Sequence, residues 1–166
     1  MKTKKYHIVG FFFVLILGTL LHFTYNFSGQ NKLVSYFSAV NESVWEHLKL
    51  IFFPALIFSI VEFFAYGRKE SDFWAIKMTA VLSSMLFIVV FFYTYSGVLG
   101  FNIAVLDILS FAIADFILFY ISFNMLKASS SGSKADSLKA IAVLLLLTVC
   151  FIIWTDNPPD LGIFWG

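Results

Sequence analysis

Hydrophobic and polar positions follow one another in long blocks along this chain, not at the short periods of a soluble protein. Five apolar runs cover roughly residues 8–27, 45–66, 73–95, 102–126 and 138–155, separated by short polar or charged segments. A run of about twenty apolar residues is long enough to cross a bilayer as an α-helix. The pattern therefore predicts an all-α fold in which residues 1–166 form a single domain, a bundle of five transmembrane helices.

The segment before the second run is amphipathic. Leu33, Phe37, Val40 and Val44 recur at helical spacing, which predicts a short interfacial helix at the membrane surface. Pro54 lies inside the second run. It predicts a kink, which membrane helices tolerate.

The positive charges predict an orientation. If the N-terminus is inside, nine of the 11 Lys and Arg residues fall on inner segments and two, Lys32 and Lys49, fall on outer ones. Cytoplasmic loops carry such an excess of cations. The N-terminus is therefore expected inside and the C-terminus outside.

The amino-acid composition indicates which classes of partner the chain is expected to contact. The chain is 60% hydrophobic and 13% charged, and its formal net charge is +1. A lipid bilayer is the expected environment, and without a dense basic cluster no nucleic-acid partner is predicted. The single cysteine, Cys150, lies within an apolar run and is expected to be a small core residue. The sequence leaves the oligomeric state open.

The most polar stretch near an apolar run is Asn41–Lys49, with the sequence NESVWEHLK. In a continuous helix, Glu42 and Glu46 would share one face, where like charges repel. A proton, a cationic side chain or a bound cation should compensate. An ion pair between Glu46 and Lys49 is the simpler alternative for Glu46.

Polar side chains from other spans reach the same depth. His22 and Asp107 each lie five residues from the outer end of their spans, or about 7 Å at the helical rise. His47 enters the second span from the same side. Charged groups in a bilayer usually face the bundle interior, so these residues predict an outward-facing polar site.

His, Glu and Asp side chains from separate helices suit a divalent metal such as zinc. We expect metal ligands at His22, His47 and Asp107, catalytic carboxylates at Glu42 and Glu46, and ligand contacts at Tyr25, Asn41, Trp45, Tyr93 and Asp115. Other interpretations stay open: His22 as a hydrogen-bonding link between helices, Tyr25, Trp45 and Tyr95 as interfacial aromatics, and Asp107 as a solvated carboxylate.

Two functions are consistent with this pattern. One is a metal-dependent hydrolase that acts on a lipid or a small amphiphile from the outer leaflet. The alternative is a non-enzymatic ligand or ion binding protein, or a transporter component. Asp115, near the middle of the fourth span, favours the second, whereas Glu62 is expected to pair with Arg68 or Lys69 near the inner boundary. An accessory subunit is a third reading, but no Gly-x-x-x-Gly pattern supports it. The standard hydrolase motifs are absent.

The chain resembles a family of small, uncharacterised integral membrane proteins of Gram-positive bacteria. The resemblance rests on His22-Phe23-x-Tyr25, the Asn41-Glu42-Ser43-x-Trp45-Glu46-His47 block, Tyr93-Thr94-Tyr95-x-Gly97, Asp107 and Pro158-Pro159. It implies a multi-pass protein of the bacterial cytoplasmic membrane and no particular reaction.

Overall fold

The computed structural model describes residues 2–129 and 133–165. Within these residues the secondary structure is entirely helical. The α-helices are α1 (Lys2–Phe27), α2 (Lys32–Ser35), α3 (Val44–Ala65), α4 (Phe73–Leu99), α5 (Ala104–Ala128) and α6 (Lys134–Asp156), and short 3₁₀ turns cover Gly67–Lys69 and Gly162–Phe164.

Five of these helices are long and apolar enough to cross a membrane, which confirms the predicted fold class. Three helix ends lie well outside the predicted spans. Helix α1 begins at Lys2 and not near residue 8, α4 continues to Leu99, and α6 begins at Lys134, inside the polar segment that was expected to be a linker. Residues 130–132 of that segment lie outside the described residues.

The long helices run alternately up and down. We call the end of the bundle where α3 begins the upper end, and the end where α1 begins the lower end. Helix α1 packs against α3 and α5, and α4 packs against α3, α5 and α6. Helix α3 is the most enclosed. In its most apolar stretch of 18 residues, 61% of the residues are buried, compared with 17% in the corresponding stretches of α1 and α6. The exposed faces of the outer helices are apolar, as a lipid environment requires.

Helix α3 begins close to the predicted start of the second span and includes only the second part of the polar stretch Asn41–Lys49. Ser43 is the N-cap, and its hydroxyl accepts a hydrogen bond from the Glu46 backbone N–H at 3.3 Å. Glu42 therefore precedes the helix. The expectation that Glu42 and Glu46 share one helical face is wrong, because the cap redirects the chain between them.

Charged groups link the helices at the upper end. The Lys49 ammonium is fully buried and lies 2.5 Å from a Glu46 carboxylate oxygen. It also donates to the Ser35 carbonyl at 2.8 Å and the Thr155 hydroxyl at 2.9 Å. One buried cation therefore connects α2, α3 and α6.

An ion pair and an aromatic cluster also stabilise the upper end. Lys32 pairs with Asp156, and its hydrogen bond to that carboxylate raises the pKa of Lys32. Trp45 is buried and its ring packs against Phe151, Trp154 and Phe164. Trp45 is thus a core residue beneath the C-terminal tail, not the interfacial aromatic that was expected.

A second buried network lies at the lower end. Glu62 pairs with Lys77 of α4, and both side chains are 1% exposed. Lys77 also donates to the Ser122 hydroxyl at 2.8 Å, and the Tyr66 hydroxyl donates to Glu62 at 2.6 Å. The predicted partners of Glu62, Arg68 and Lys69, were wrong. Both lie in the 3₁₀ turn after α3 and are exposed, whereas Lys77 reaches Glu62 from the facing helix.

Candidate functional site

A cavity of about 290 Å³ opens at the upper end between α1, α3, α4 and α5. Its polar lining comes from Thr19, His22, Glu42, His47, Asn102, Asp107 and Ser110, and its apolar lining from Gly18, Phe23, Val44, Leu50, Ile88, Phe92, Ile108 and Phe111. Polar and apolar side chains both contribute to its wall. The cavity is therefore amphipathic.

Two imidazoles and one carboxylate meet in this cavity. His22 comes from the upper half of α1, His47 from the first turns of α3, and Glu42 from the segment just before α3. One potential ligand atom from each lies within 4.8 Å of the others. The two imidazole rings are 5.2 Å apart between centroids, at an angle of 38°. This geometry brings together three of the residues that the sequence predicted for the site.

The orientation of His47 is fixed by the backbone. Its Nδ1 lies 2.8 Å from the Ser43 carbonyl oxygen, which can only accept a hydrogen bond, so Nδ1 carries the hydrogen. The other nitrogen, Nε2, lies 3.5 Å from a Glu42 carboxylate oxygen. An unprotonated Nε2 and a carboxylate are both acceptors and repel each other. A proton or a metal ion between them satisfies both.

His22 also has an unused nitrogen. Its Nδ1 is buried and has no hydrogen-bond partner among the residues that the structure describes. Buried polar atoms are nearly always satisfied, so an orphaned one needs an explanation. An ion bound through this nitrogen would satisfy its lone pair.

Asp107 of α5 lines the same cavity as the two histidines. It is in the first turn of α5, and its carboxylate accepts a hydrogen bond from the Tyr95 hydroxyl of α4. The Tyr95 oxygen in turn accepts from the Ile103 backbone N–H at 3.3 Å. Asp107 is thus held in place by α4 and is separate from the three-residue cluster.

The sequence pattern of a family of unknown function, DUF6512, matches residues 1–166. The chain belongs to the DUF6512 family. No protein of curated function and no solved structure matches it. The membership confirms the predicted resemblance to an uncharacterised family, and the arguments about activity rest on the site itself.

Other residues predicted for the site lie elsewhere in this DUF6512 chain. Glu46 is 3% exposed, pairs with Lys49 and accepts a hydrogen bond from the Val40 backbone N–H at 3.0 Å. Its carboxylate therefore stabilises the start of α3 and does not line the cavity. The Asn41 side chain accepts from the Ser43 backbone N–H at 2.9 Å, a local turn contact.

The remaining predicted ligand contacts are also outside the cavity lining. Tyr25 is half-buried near the end of α1, and its backbone N–H donates to the Ser38 hydroxyl at 3.0 Å. Tyr93 is 44% exposed beside a shallow surface depression. Trp45 packs under the tail, and Asp115 is buried deeper in the bundle.

The sequence analysis missed two residues that position the site. Ser43 caps α3 and its carbonyl orients His47, and the Ser-x-x-Glu spacing of a capping box in residues 43–46 was the available signal. Tyr95 holds Asp107. The short connection between α4 and α5 makes these two helices antiparallel neighbours. Tyr95 and Asp107 lie at equal depths on them and are therefore close together.

Proposed function

We propose that this protein is a multi-pass membrane protein that binds a divalent metal ion at His22, Glu42 and His47. The observation that carries the proposal is the convergence of these three side chains within 4.8 Å from separate parts of the chain. The unused Nδ1 of His22 and the fixed tautomer of His47 support it. Together they provide two neutral nitrogens and one negative charge.

Zinc is the ion that this donor set suits best. Two His and one Glu, with a fourth position open, form a ligand set of catalytic zinc sites. Zinc–ligand bonds of about 2.0–2.2 Å require the three groups to move closer together. Glu42 can make that adjustment because its side chain is 75% exposed.

The location of the site follows from the cation asymmetry of the sequence. Nine of the 11 Lys and Arg residues favour the lower end as the cytoplasmic one. The upper end and its cavity then face outward from a bacterial cytoplasmic membrane. A ligand reaches the cavity from the aqueous phase or from the outer leaflet.

The lining of the cavity favours a lipid-like substrate. Phe23 and Ile108 are 47% and 69% exposed on the lipid side, while Glu42 and Asn102 are exposed at the helix ends. A polar head group can approach the metal ligands while an apolar chain stays against α1 and α5. The volume of about 290 Å³ fits a head group and not a complete two-chain lipid.

Metal-assisted hydrolysis is the reaction that this arrangement supports. A divalent ion at the cluster would polarise a carbonyl or phosphoryl oxygen and activate a water molecule. Asp107 also lines the cavity without belonging to the cluster, so we assign it the role of accepting the proton of that water. In this proposal Glu42 is a metal ligand and Glu46 is structural, a redistribution of the roles first predicted for them.

A second candidate function is non-enzymatic binding or transport of a cation or small polar ligand through the same cluster. The hydrogen bond from Tyr95 to Asp107 favours it, because this bond occupies a lone pair of the carboxylate that hydrolysis would need as its base. Metal binding is common to both candidates. Cleavage of a substrate would distinguish the hydrolase from the binding or transport protein.

The decisive experiment is metal analysis of the protein purified in mild detergent and equilibrated with zinc. We expect about one zinc per chain in the wild type, loss of zinc in His22→Ala and His47→Ala, and at least tenfold weaker binding in Glu42→Gln. Glu70→Gln, an exposed acid at the opposite end, is the matched control and should bind like the wild type. Equal zinc content in all five proteins, or none in the wild type, would refute the site.

The reaction is tested separately with short-chain and long-chain amphiphiles that carry ester, amide or phosphoester bonds. Zinc-dependent cleavage that Asp107→Asn reduces, while zinc content stays unchanged, supports hydrolysis. Zinc binding without any cleavage selects the binding or transport candidate.

A further inference from the structure

The middle of the bundle contains a carboxyl group that the proposed metal site does not use. Asp115 on α5 is completely buried. Neither of its carboxyl oxygens has a hydrogen-bond partner within residues 2–129 and 133–165. An ionised carboxylate without a partner is costly in hydrocarbon, so such a residue within a membrane span indicates a function.

Close helix contacts fix the depth of Asp115. Two glycines of α1 lie against both neighbouring helices, in the pairs Gly10–Phe119 and Gly18–Phe111 with α5 and the pairs Gly10–Phe58 and Gly18–Leu50 with α3. Helix α1 runs antiparallel to both. Val14, midway between the glycines, is therefore level with Asp115 on α5 and with Pro54 on α3.

Contacts between α4 and α5 add a fourth residue to this level. Lys77 donates to Ser122 at 2.8 Å, and seven residues farther along each antiparallel helix lie Ser84 and Asp115. Ser84 is fully buried, and its hydroxyl donates to the Val81 carbonyl at 2.7 Å. The lone pairs of the Ser84 oxygen remain available as acceptors.

Pro54 adds a polar backbone atom above this level. Proline has no N–H, so Pro54 cannot donate to the carbonyl four residues earlier, that of Leu50. Leu50 lines the cavity, and its carbonyl oxygen lies 2.4 Å from where a Cβ on Gly18 would be. A backbone acceptor without its helical donor is therefore placed at the cavity floor, about four residues above the level of Asp115.

The cavity also approaches Asp115 along α5. Ser110 is a lining residue and is buried. It lies five residues from Asp115, or about 7.5 Å along the helix axis. The Leu50 carbonyl and the Ser110 hydroxyl are therefore polar groups of the cavity lining within about five residues of the level of Asp115.

We propose that Asp115 is a proton-binding site that exchanges its proton with the cavity. A proton fits better than a metal cation, because hard cations require about six or more oxygen ligands and the level of Asp115 offers one carboxyl and one hydroxyl. The neutral acid avoids a buried charge, and the Ser84 hydroxyl is at the same level on the facing helix, although it makes no hydrogen bond to Asp115 in the structure. A process at the cavity that takes up or releases a proton is then coupled to Asp115.

Other ionisable groups on the surrounding helices lie at different levels. Among the described side chains they are Lys4, Lys5, Tyr6, His7, His22 and Tyr25 on α1, Glu46, His47, Lys49 and Glu62 on α3, Lys77, Tyr93 and Tyr95 on α4, and Asp107, Tyr120 and Lys127 on α5. Lys49, five residues from Pro54, is the nearest along α3, and it is held by Glu46. Asp115 therefore binds its proton independently of the buried ion pairs, and the proposal does not depend on the metal site.

The test is infrared spectroscopy of the purified protein in detergent, with exchange from H₂O into D₂O. We expect a band from a protonated carboxylic acid at neutral pH that shifts within minutes of exchange. The band should be lost in Asp115→Asn and retained in Asp107→Asn, the matched control from the same helix. Size-exclusion chromatography shows whether each variant is folded.

Three results overturn the proposal. An absent band means that Asp115 is ionised. A band that persists in Asp115→Asn belongs to another residue. A band that stays unshifted in D₂O for hours means that the carboxyl is sealed and purely structural. If Asp115→Asn does not fold, labelling of the wild type with a hydrophobic carbodiimide decides instead: Asp115 must be the modified residue in the peptide map, and an unmodified Asp115 excludes an accessible protonated acid.

Discussion

The buried ion pair between Glu62 and Lys77 allows a sharp test of how the lower end is held together. Both side chains are 1% exposed, and the pair joins α3 to α4. In Lys77→Met the Glu62 carboxylate keeps the Tyr66 hydroxyl, at 2.6 Å, and the His7 imidazole, at 3.7 Å, but loses its ammonium partner. In Glu62→Gln the Lys77 ammonium keeps the Ser122 hydroxyl, at 2.8 Å, and a neutral amide oxygen, but loses the opposite charge.

Each single variant should lower the free energy of unfolding by about 3–5 kcal/mol, because an unpaired charge stays buried. The double variant removes both charges at once. We expect it to recover most of the sum of the two losses, since replacing a whole buried pair by neutral groups is often close to neutral.

Unfolding in mixed micelles, followed by circular dichroism while the fraction of denaturing detergent is raised, measures these differences. Lys139→Met breaks the exposed Lys139–Asp136 pair, whose side chains are 77% and 58% exposed, and is the control. It should change stability by less than about 1 kcal/mol. A Lys77→Met variant as stable as this control, or a double variant that loses the full sum, would refute the reasoning.

Three further predictions concern the upper end. Gly18→Ala should lower the free energy of unfolding by about 1–3 kcal/mol and weaken zinc binding, because the new Cβ would lie 2.4 Å from the Leu50 carbonyl oxygen. At Gly97 a Cβ meets open space, so Gly97→Ala should stabilise α4 by about 0.5–1 kcal/mol. Thermal unfolding and zinc titration of both variants check this, and equal behaviour contradicts it. Lys49→Met should destabilise by about 3–5 kcal/mol, since it leaves a buried carboxylate unpaired, and the same micelle titration measures the loss. Ser43→Ala should lower the free energy of unfolding by about 0.5–2 kcal/mol through loss of the N-cap. Zinc should still bind, because the Ser43 backbone carbonyl that orients the His47 imidazole remains. Loss of zinc in this variant would contradict the role assigned to that carbonyl.

The number, type and approximate limits of the long helices could be predicted from the sequence. An apolar run of about twenty residues in a bilayer must satisfy its own backbone hydrogen bonds, and a helix does so without reference to any neighbour. The helix ends were less certain. Leu99 and Lys134 extend their helices into polar segments, where water can also satisfy the backbone and hydropathy gives no boundary.

The similar depth of His22, His47 and Asp107 could also be predicted, because depth along a membrane helix follows from residue number alone. That all three line one cavity depends on how each helix is rotated and follows only from the tertiary structure. Which carboxylate lies beside the histidines could not be predicted. Glu42 and Glu46 belong to the same polar stretch, and only the cap at Ser43 separates them. As a result Glu42 lies beside His47, whereas Glu46 pairs with Lys49.

Rotation of each helix about its axis was decided only by the tertiary structure. A membrane helix is apolar on every side, so no polar stripe shows which face is buried. For that reason the burial of Trp45, the pairing of Glu62 with Lys77 and the isolation of Asp115 follow from packing between helices. The sequence by itself determined how many times this chain can cross a membrane and at what depth its polar residues lie. The packing of the helices determined which of those residues meet.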